Sequence, residues 1–214
     1  MRVLDDFQIE LKDDEIIRML SNKNSSKKVS PELYTEINEM KQLALDIIKP
    51  KGVYDIFESK KLAPKFLFNK SEKTILAVCT IGNELEKLSS EYLQRGELAK
   101  GVILDAIASH AAEETAELIN QIILDDLKEE LENKEVTCRF SPGYCQWVLE
   151  EGQKLIFQLL PTEAIDVTLS VTMMMKPVKS VSFAINTGKK VDKELGKRGC
   201  ETCDLENCAY RRSN

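Results

Sequence analysis

Arg139-Phe140-Ser141-Pro142-Gly143-Tyr144 is the stretch on which the reading of this chain turns. A strand delivers an arginine and then breaks into a turn of serine, proline and glycine. Pro142 fixes its own φ, and Gly143 permits a backbone conformation that other residues resist, so backbone groups can face a ligand at close range. Arg139 offers a planar fork suited to a carboxylate, and Tyr144 offers a ring face and a hydroxyl. Together they suit an amino-acid ligand that also carries a cation.

Working outward, the pattern predicts helices and strands without regular βαβ alternation. Before the turn lies a long helical stretch over 97–133, rich in alanine from Ala106 to Ala116, which favours helix and lets other backbones approach closely. After it comes an amphipathic helix over 149–160. Ile165, Val167, Leu169 and Val171 alternate with polar residues, as do Val181, Phe183 and Ile185, and the two segments are expected to pair as antiparallel strands.

Nearer the N-terminus a short strand over 3–9 and a short helix over 14–20 precede a polar loop at 21–28. Ser30-Pro31 then has the form of an N-cap followed by proline at the first helical position. Leu33, Ile37, Met40, Ala44 and Ile47 recur at helical spacing until Pro50. Strands are predicted over 53–57 and 74–80, and a helix carrying Leu85, Leu88 and Tyr92 ends at Gly96. The expected class is α+β: a twisted, mostly antiparallel sheet with long helices packed against it. Three portions are expected: an N-terminal α/β portion at 1–95, a ligand-binding core at 96–190 and a cysteine-rich tail at 191–214.

The 214 residues carry a formal net charge of −6, with a sequence pI near 5.1, which argues against nucleic acid as a partner. No apolar run is long enough to span a bilayer, and the first residues include acids where a secretory signal needs an apolar core, so a cytoplasmic location is expected. Six cysteines then read as thiols or ligands rather than a disulfide framework. Cys200, Cys203 and Cys208 form a C-x2-C-x4-C array whose spacing suits zinc or an iron-sulfur cluster, with Cys138 or Cys145 available as a fourth ligand and Cys145 the more attractive because it adjoins the Ser-Pro-Gly turn. The competing reading is a tail of adventitious thiols or a reversible disulfide. His110, the one histidine, sits mid-helix among alanines and reads as a packing residue.

Arg139, Pro142, Gly143 and Tyr144 together resemble the R-x-x-P-G-Y signature of the activation domain of cobalamin-dependent methionine synthase. The helix containing Ile156-Phe157-Gln158-Leu159-Leu160 follows as in that family. Met173-Met174, Pro177 and Ser180-Val181-Ser182 are similar to its M-x-P-x-x-S-V-S segment, and the resemblance spans about residues 98 to 186. It implies that Arg139 binds the carboxylate of S-adenosylmethionine and that Pro142, Gly143 and Tyr144 line its methionine and ribose portion. It further implies that Glu113 balances the ligand's positive charge and that Ser180 and Val181 supply backbone contacts to the adenine. Two departures stand out: Val148 occupies the place of a family proline, and Leu169 that of a family glutamate.

The chain lacks D-x-H-x-x-G, the family's corrinoid-binding signature, so cobalamin is expected to come from a partner. The resemblance implies a standalone domain that binds S-adenosylmethionine and supports reductive remethylation of a corrinoid held by another protein or methyltransferase. A flavodoxin-like or ferredoxin-like protein would donate the electron, and no side chain need act as acid or base. The alternatives are a non-catalytic scaffold or ligand sensor for such a system, and a redox protein using the terminal cysteines.

Overall fold

The computed structural model describes residues 1–5, 7–20 and 30–196; the array Cys200, Cys203 and Cys208 lies outside them. The central run Lys73–Thr80 (β3) is buried along nearly its whole length, because neither of its faces sees solvent. β3 pairs antiparallel with Lys51–Glu58 (β2) on one side and with Ser180–Gly188 (β7) on the other. Arg2–Leu4 (β1) extends the sheet beyond β2, and Glu135–Val136 (β4) beyond β7, giving the order β1-β2-β3-β7-β4.

The helix Leu98–Asp126 (α5) lies across one face of this sheet. Ala116, Ile119 and Ile123 meet Ile75, Ala77, Cys79, Phe183 and Ile185 there. Gly52 in β2 faces Ile119 so closely that a Cβ would collide with its side chain, which is why the strand carries glycine at that point. The opposite flank of α5 is covered by Asp13–Leu20 (α1), Pro31–Ile47 (α2) and Glu84–Gln94 (α4), through Ile16, Ile37, Met40 and Leu85. A helix buried on several sides has no broad polar face, and the alanine-rich middle of α5 follows from that. Ser30 caps α2 as its sequence predicts, its Oγ accepting from Leu33 N at 3.3 Å.

The second face of the sheet carries Leu149–Leu159 (α6) and the single turn Lys65–Phe68 (α3). Ile156, Leu160, Phe68 and Trp147 pack there on Val53, Leu76, Val78 and Ala184. No helix among the described residues is long and apolar enough to cross a membrane.

Three expected elements differ. The first strand, expected over 3–9, spans only Arg2–Leu4. α5 ends at Asp126 rather than near Asn133 and is followed by turns. Asp125, Asp126, Glu129 and Glu130 place negative charge at the negative end of the helix dipole, with no basic residue in the last turn to offset it. Nor do the two alternating segments pair with each other. Residues 162–165 form a 3-10 turn, Asp166 is left-handed, and only Thr168–Leu169 (β5) is strand, pairing with Met175–Lys176 (β6) in a separate hairpin. β7 pairs with β3 instead, in the middle of the sheet, where it is buried from Ser182 to Gly188.

His110 joins α5 to the N-terminal segment. Only 2% exposed, it accepts through Nε2 from Lys12 N–H at 3.0 Å. Burial pushes its pKa below 6.5; Glu114, Glu15 and Asp14 oppose that shift and Lys12 adds to it. The folded state therefore prefers neutral imidazole. The unfolded chain gains a proton near pH 6.5, so the stability from His110 is complete above about 6.5 and is lost as pH falls through its folded pKa. Urea midpoints measured from pH 7.5 to 5.5 should fall for the wild type. His110→Gln, which keeps an acceptor and does not titrate, should flatten that dependence.

Candidate functional site

Beyond β4 the chain continues along the outer edge of β7. Thr137 N donates to the Asn186 carbonyl at 3.0 Å, and Phe140 and Ala184 exchange backbone hydrogen bonds of 3.0 and 2.7 Å. Alternation of side chains then sends Phe140 to the α6 face and Arg139 to the α5 face. Phe140 enters an aromatic cluster with Phe68 and Trp147, at centroid distances of 6.3 and 5.6 Å.

Arg139 meets α5. Its Nη2 donates to Glu113 Oε2 at 2.6 Å, its Nε lies 3.5 Å from Glu117 Oε2, and its guanidinium carbon sits 5.7 Å from the centre of the Phe183 ring. The arginine side chain is 8% exposed, while Glu113 opens to solvent. Glu113 and Glu117 are one helical turn apart, where like charges ordinarily repel, and the guanidinium between them compensates. Arg139 Nε and Trp147 Nε1 are buried without a hydrogen-bond partner among the described residues.

The turn that follows is pinned from within. Tyr144 N donates to the Ser141 carbonyl, Gly143 N to the Trp147 carbonyl, and Trp147 N to the Tyr144 carbonyl, at 3.0, 2.8 and 2.8 Å. Gly143 adopts φ +91°, and Cys145 and Gln146 are also left-handed at 52° and 61°. Two successive non-glycine residues in that region are a strain that the surroundings must hold. Trp147 does so by burying its ring, and Pro142 by packing on Gly152 of α6. Tyr144 is left 69% exposed at the tip.

Gly152 makes this possible. A Cβ there would sit 2.7 Å from Pro142 Cβ and Cγ and 2.8 Å from Trp147 Cε2. Neither Trp147 nor Gly152 was singled out by sequence reasoning. The signals were a lone tryptophan in a polar loop and a glycine inside a helical pattern.

The register of β7 decides what its edge presents. Lys179 and Thr187 offer their carbonyls to Ile81 N and Glu72 N on the β3 side, whereas Ala184 and Asn186 bond to Phe140 and Thr137 on the outer side. By the period of two, Ser180 and Ser182 also turn backbone groups to the outer edge, and those of Val181 turn to Cys79. Ser180 Oγ donates to the Pro177 carbonyl at 2.7 Å and lies 2.9 Å from Thr80 Oγ1. Ser182 Oγ donates to Gln153 Oε1 at 3.1 Å. The chain leaving Phe140 for Tyr144 runs antiparallel to β7, so it heads toward Ser182 and Ser180.

The family model for the activation domain of vitamin B12-dependent methionine synthase matches residues 66–194, more than half of the chain. The chain belongs to this family. Among solved structures, the activation domain described here is similar to a MetH reactivation domain crystallised with AdoHcy. The two are 17% identical with a TM-score of 0.56, over 72% of this chain and 64% of that one, so the chain spans less than two thirds of its length. No curated protein matches.

Within this activation domain the fold brings Glu113 to Arg139, and Pro142, Gly143 and Tyr144 follow from the same edge. Cys79 is buried beneath, its thiol pushed up to about 12 by burial, with Arg139 pulling in the opposite direction. Cys138 and Cys145 are exposed, and no group of three metal-ligating side chains occurs among the described residues.

An alanine in place of a helical glycine normally stabilises by about 0.5–1 kcal/mol. Gly152→Ala should instead destabilise by about 1–3 kcal/mol through overpacking against Pro142. Because Trp147 is the sole tryptophan, its emission should shift to the red as the turn is displaced.

Proposed function

We propose that this activation domain binds S-adenosylmethionine at the Arg139 edge and supports remethylation of a corrinoid held by a separate protein. The observation that carries the reading is the Glu113–Arg139 pair at the mouth of an open strand edge. A guanidinium beside a solvent-facing carboxylate complements an amino acid, whose own carboxylate and ammonium have the opposite order. That the solved neighbour holds AdoHcy adds support.

On this reading Arg139 holds the ligand carboxylate, and Glu113 holds the ammonium. Pro142 and Gly143 shape the wall of the site, Tyr144 covers the methionine and ribose portion, and the outer edge of β7 at Ser180 takes the adenine; Val181, expected to share that role, turns its backbone groups to Cys79 instead. Residues 96–190 carry the contacts, residues 1–95 complete the sheet beneath them, and 191–214 form the cysteine-rich extension. Exposed apolar side chains flank the edge, Tyr144, Val148 and Leu149 on one segment and Val171, Met174 and Val178 on another, as a surface that docks a protein requires.

In the reaction a flavodoxin-like or ferredoxin-like donor gives one electron to cobalt(II), and the resulting cobalt(I) takes the methyl group from the sulfonium, whose sulfur keeps the bonding pair. The chain's own residues bind and orient; none moves a proton.

Calorimetric titration with S-adenosylhomocysteine should show one saturable site. Arg139→Ala should weaken binding roughly 10- to 100-fold, the worth of a charged hydrogen bond. No binding by the wild type, or an unchanged variant, overturns the reading. Incubation with the cobalt(II) form of a corrinoid protein, reductant and S-adenosylmethionine should then yield methylcorrinoid. Binding without that product supports a ligand sensor or scaffold, the role that Leu169 in place of the family glutamate favours.

A second reading concerns the terminal thiols. Gly196 abuts the carbonyls of Cys138 and Arg139, so closely that a Cβ would lie 2.6 and 2.7 Å from them. The chain thus stands beside Cys138 four residues before Cys200, which favours Cys138 over Cys145 as the thiol that joins Cys200, Cys203 and Cys208 around zinc or an iron-sulfur cluster. Anaerobically purified protein should contain about one zinc or one cluster per chain, since such arrays bind one centre, and Cys138→Ser should lower that content while Cys145→Ser does not.

A further inference from the structure

We infer that the basic face around Phe66 docks the electron donor, recognising it as an acidic protein surface; the inference rests on the reaction proposed above. Between Glu58 and Glu72 the chain carries four lysines, Lys60, Lys61, Lys65 and Lys70, and no acid, although its net charge is −6. Asp192 engages Lys70 at 3.0 Å. Lys60, Lys61 and Lys65 pair with no carboxylate among the described residues, whereas Lys12, Lys51, Lys87 and Lys154 each do. Lys65 Nζ donates to the Lys60 carbonyl, which draws the 3-10 turn Ser59–Lys61 against α3. Phe66, in α3, is 54% exposed beside these lysines.

The face is held from beneath. Ser59, Leu62, Leu67 and Phe68 are buried. Ser59 Oγ lies 2.8 Å from Thr74 Oγ1, Thr74 Oγ1 donates to Asn186 Oδ1 at 2.7 Å, and Asn186 Nδ2 donates to the Leu67 carbonyl at 2.7 Å. This buried polar chain ties both ends of the segment to β3 and β7. An outward phenylalanine adds nothing to that anchorage, and solvated lysines alone would not need it. A fixed aromatic side chain ringed by unpaired charge is what a binding anchor requires, because little ordering is left to be done on association.

Charge complementarity names the occupant. An acidic carrier is repelled by the chain as a whole and meets unpaired positive charge here, which steers it to this face. The face is small, with one aromatic side chain, as suits the brief encounter of an electron carrier with its acceptor. One aromatic side chain is too little apolar surface to seat in a membrane. The location fits as well. Glu58 pairs with Lys73 and Lys73 with Thr187, so the segment starts at the end of β7 away from Ser180, which leaves the apolar flank of Tyr144 to the corrinoid protein. Yet Phe68 meets the Trp147 ring edge-on at 5.6 Å, so the basic face adjoins the turn that carries Tyr144. The carrier gives up one electron and cobalt(II) receives it; no atom changes hands.

The test titrates the full chain with two acidic carriers, a flavodoxin and a plant-type ferredoxin, between about 0.02 and 0.2 M salt. At least one should bind, more weakly as salt rises. Reversing Lys60, Lys61 and Lys65 together to glutamate should weaken that binding about 10-fold or more at low salt, and Phe66→Ala about 5-fold at any salt, the usual loss at an anchor. Reversing Lys87, Lys100 and Lys128 changes the net charge equally and should leave carrier affinity within about 2-fold, since distant charges are screened. Neither carrier bound, or equal losses from the two triple variants, overturns the inference. So does binding of duplex DNA or phosphatidylserine vesicles in place of the carriers, which would assign the face to another partner. Affinity for S-adenosylhomocysteine should be the same in every variant. A wild type that fails to bind S-adenosylhomocysteine overturns the ligand assignment instead, and because carrier binding is read separately, the two failures are distinguished.

Discussion

The two backbone hydrogen bonds between Phe140 and Ala184 are the constraint on which the site depends. They carry the chain onto the sheet edge for one residue pair only, and strand alternation does the rest. Arg139 must then face α5 and Phe140 must face α6. With a register shifted by one residue, the arginine would enter the aromatic cluster and the phenylalanine would meet two carboxylates. The burial of Phe140 and the ion pairs of Arg139 thus enforce the same register from opposite faces of the sheet. A charge that is 8% exposed is tolerable only because Glu113, Glu117 and the Phe183 ring receive it.

From that edge the site is assembled by packing rather than by more strand. The turn from Ser141 to Trp147 is held by three internal hydrogen bonds, the Trp147 ring and the Pro142–Gly152 contact. The exposed tyrosine and the left-handed residues belong to the part of the turn that core packing does not reach. Rigid ends and an open tip suit a surface that must hold one molecule and admit another.

Much of this was legible in the sequence, and the reason differs by element. The helices and β3 carry strong periodic or continuous apolar signals, and Ser30-Pro31 marks a helix start by local chemistry alone. The Glu113–Arg139 pairing followed from family resemblance, since a helix residue and a loop residue 26 positions apart share no local signal. Strand partnership was not legible. Ile165 to Val171 alternates as well as β7 does, but alternation reports only that one face is buried and cannot name the neighbour. The end of α5 was overrun because a composition rich in glutamate, leucine and lysine favours helix even where the dipole opposes it. Gln153 and Ser182 were hidden for a simpler reason: a polar residue on a helix reads as solvated until its burial is seen.

The substitution of Val148 for the family proline shows how the turn tolerates change. A proline there would restrict the chain's entry into α6. In this chain Val148 is the N-cap, makes no side-chain capping bond and is exposed, so it restricts little. Glu150 and Glu151 in the first turn favour the helix electrostatically, and Trp147, immediately before the cap, is fixed in the core. The entry angle is therefore set by the buried ring on one side and by the Pro142–Gly152 contact on the other. That places the burden of preorganisation on packing between the turn and α6, so the same helix that completes the core beneath the sheet also sets the width of the opening at its edge.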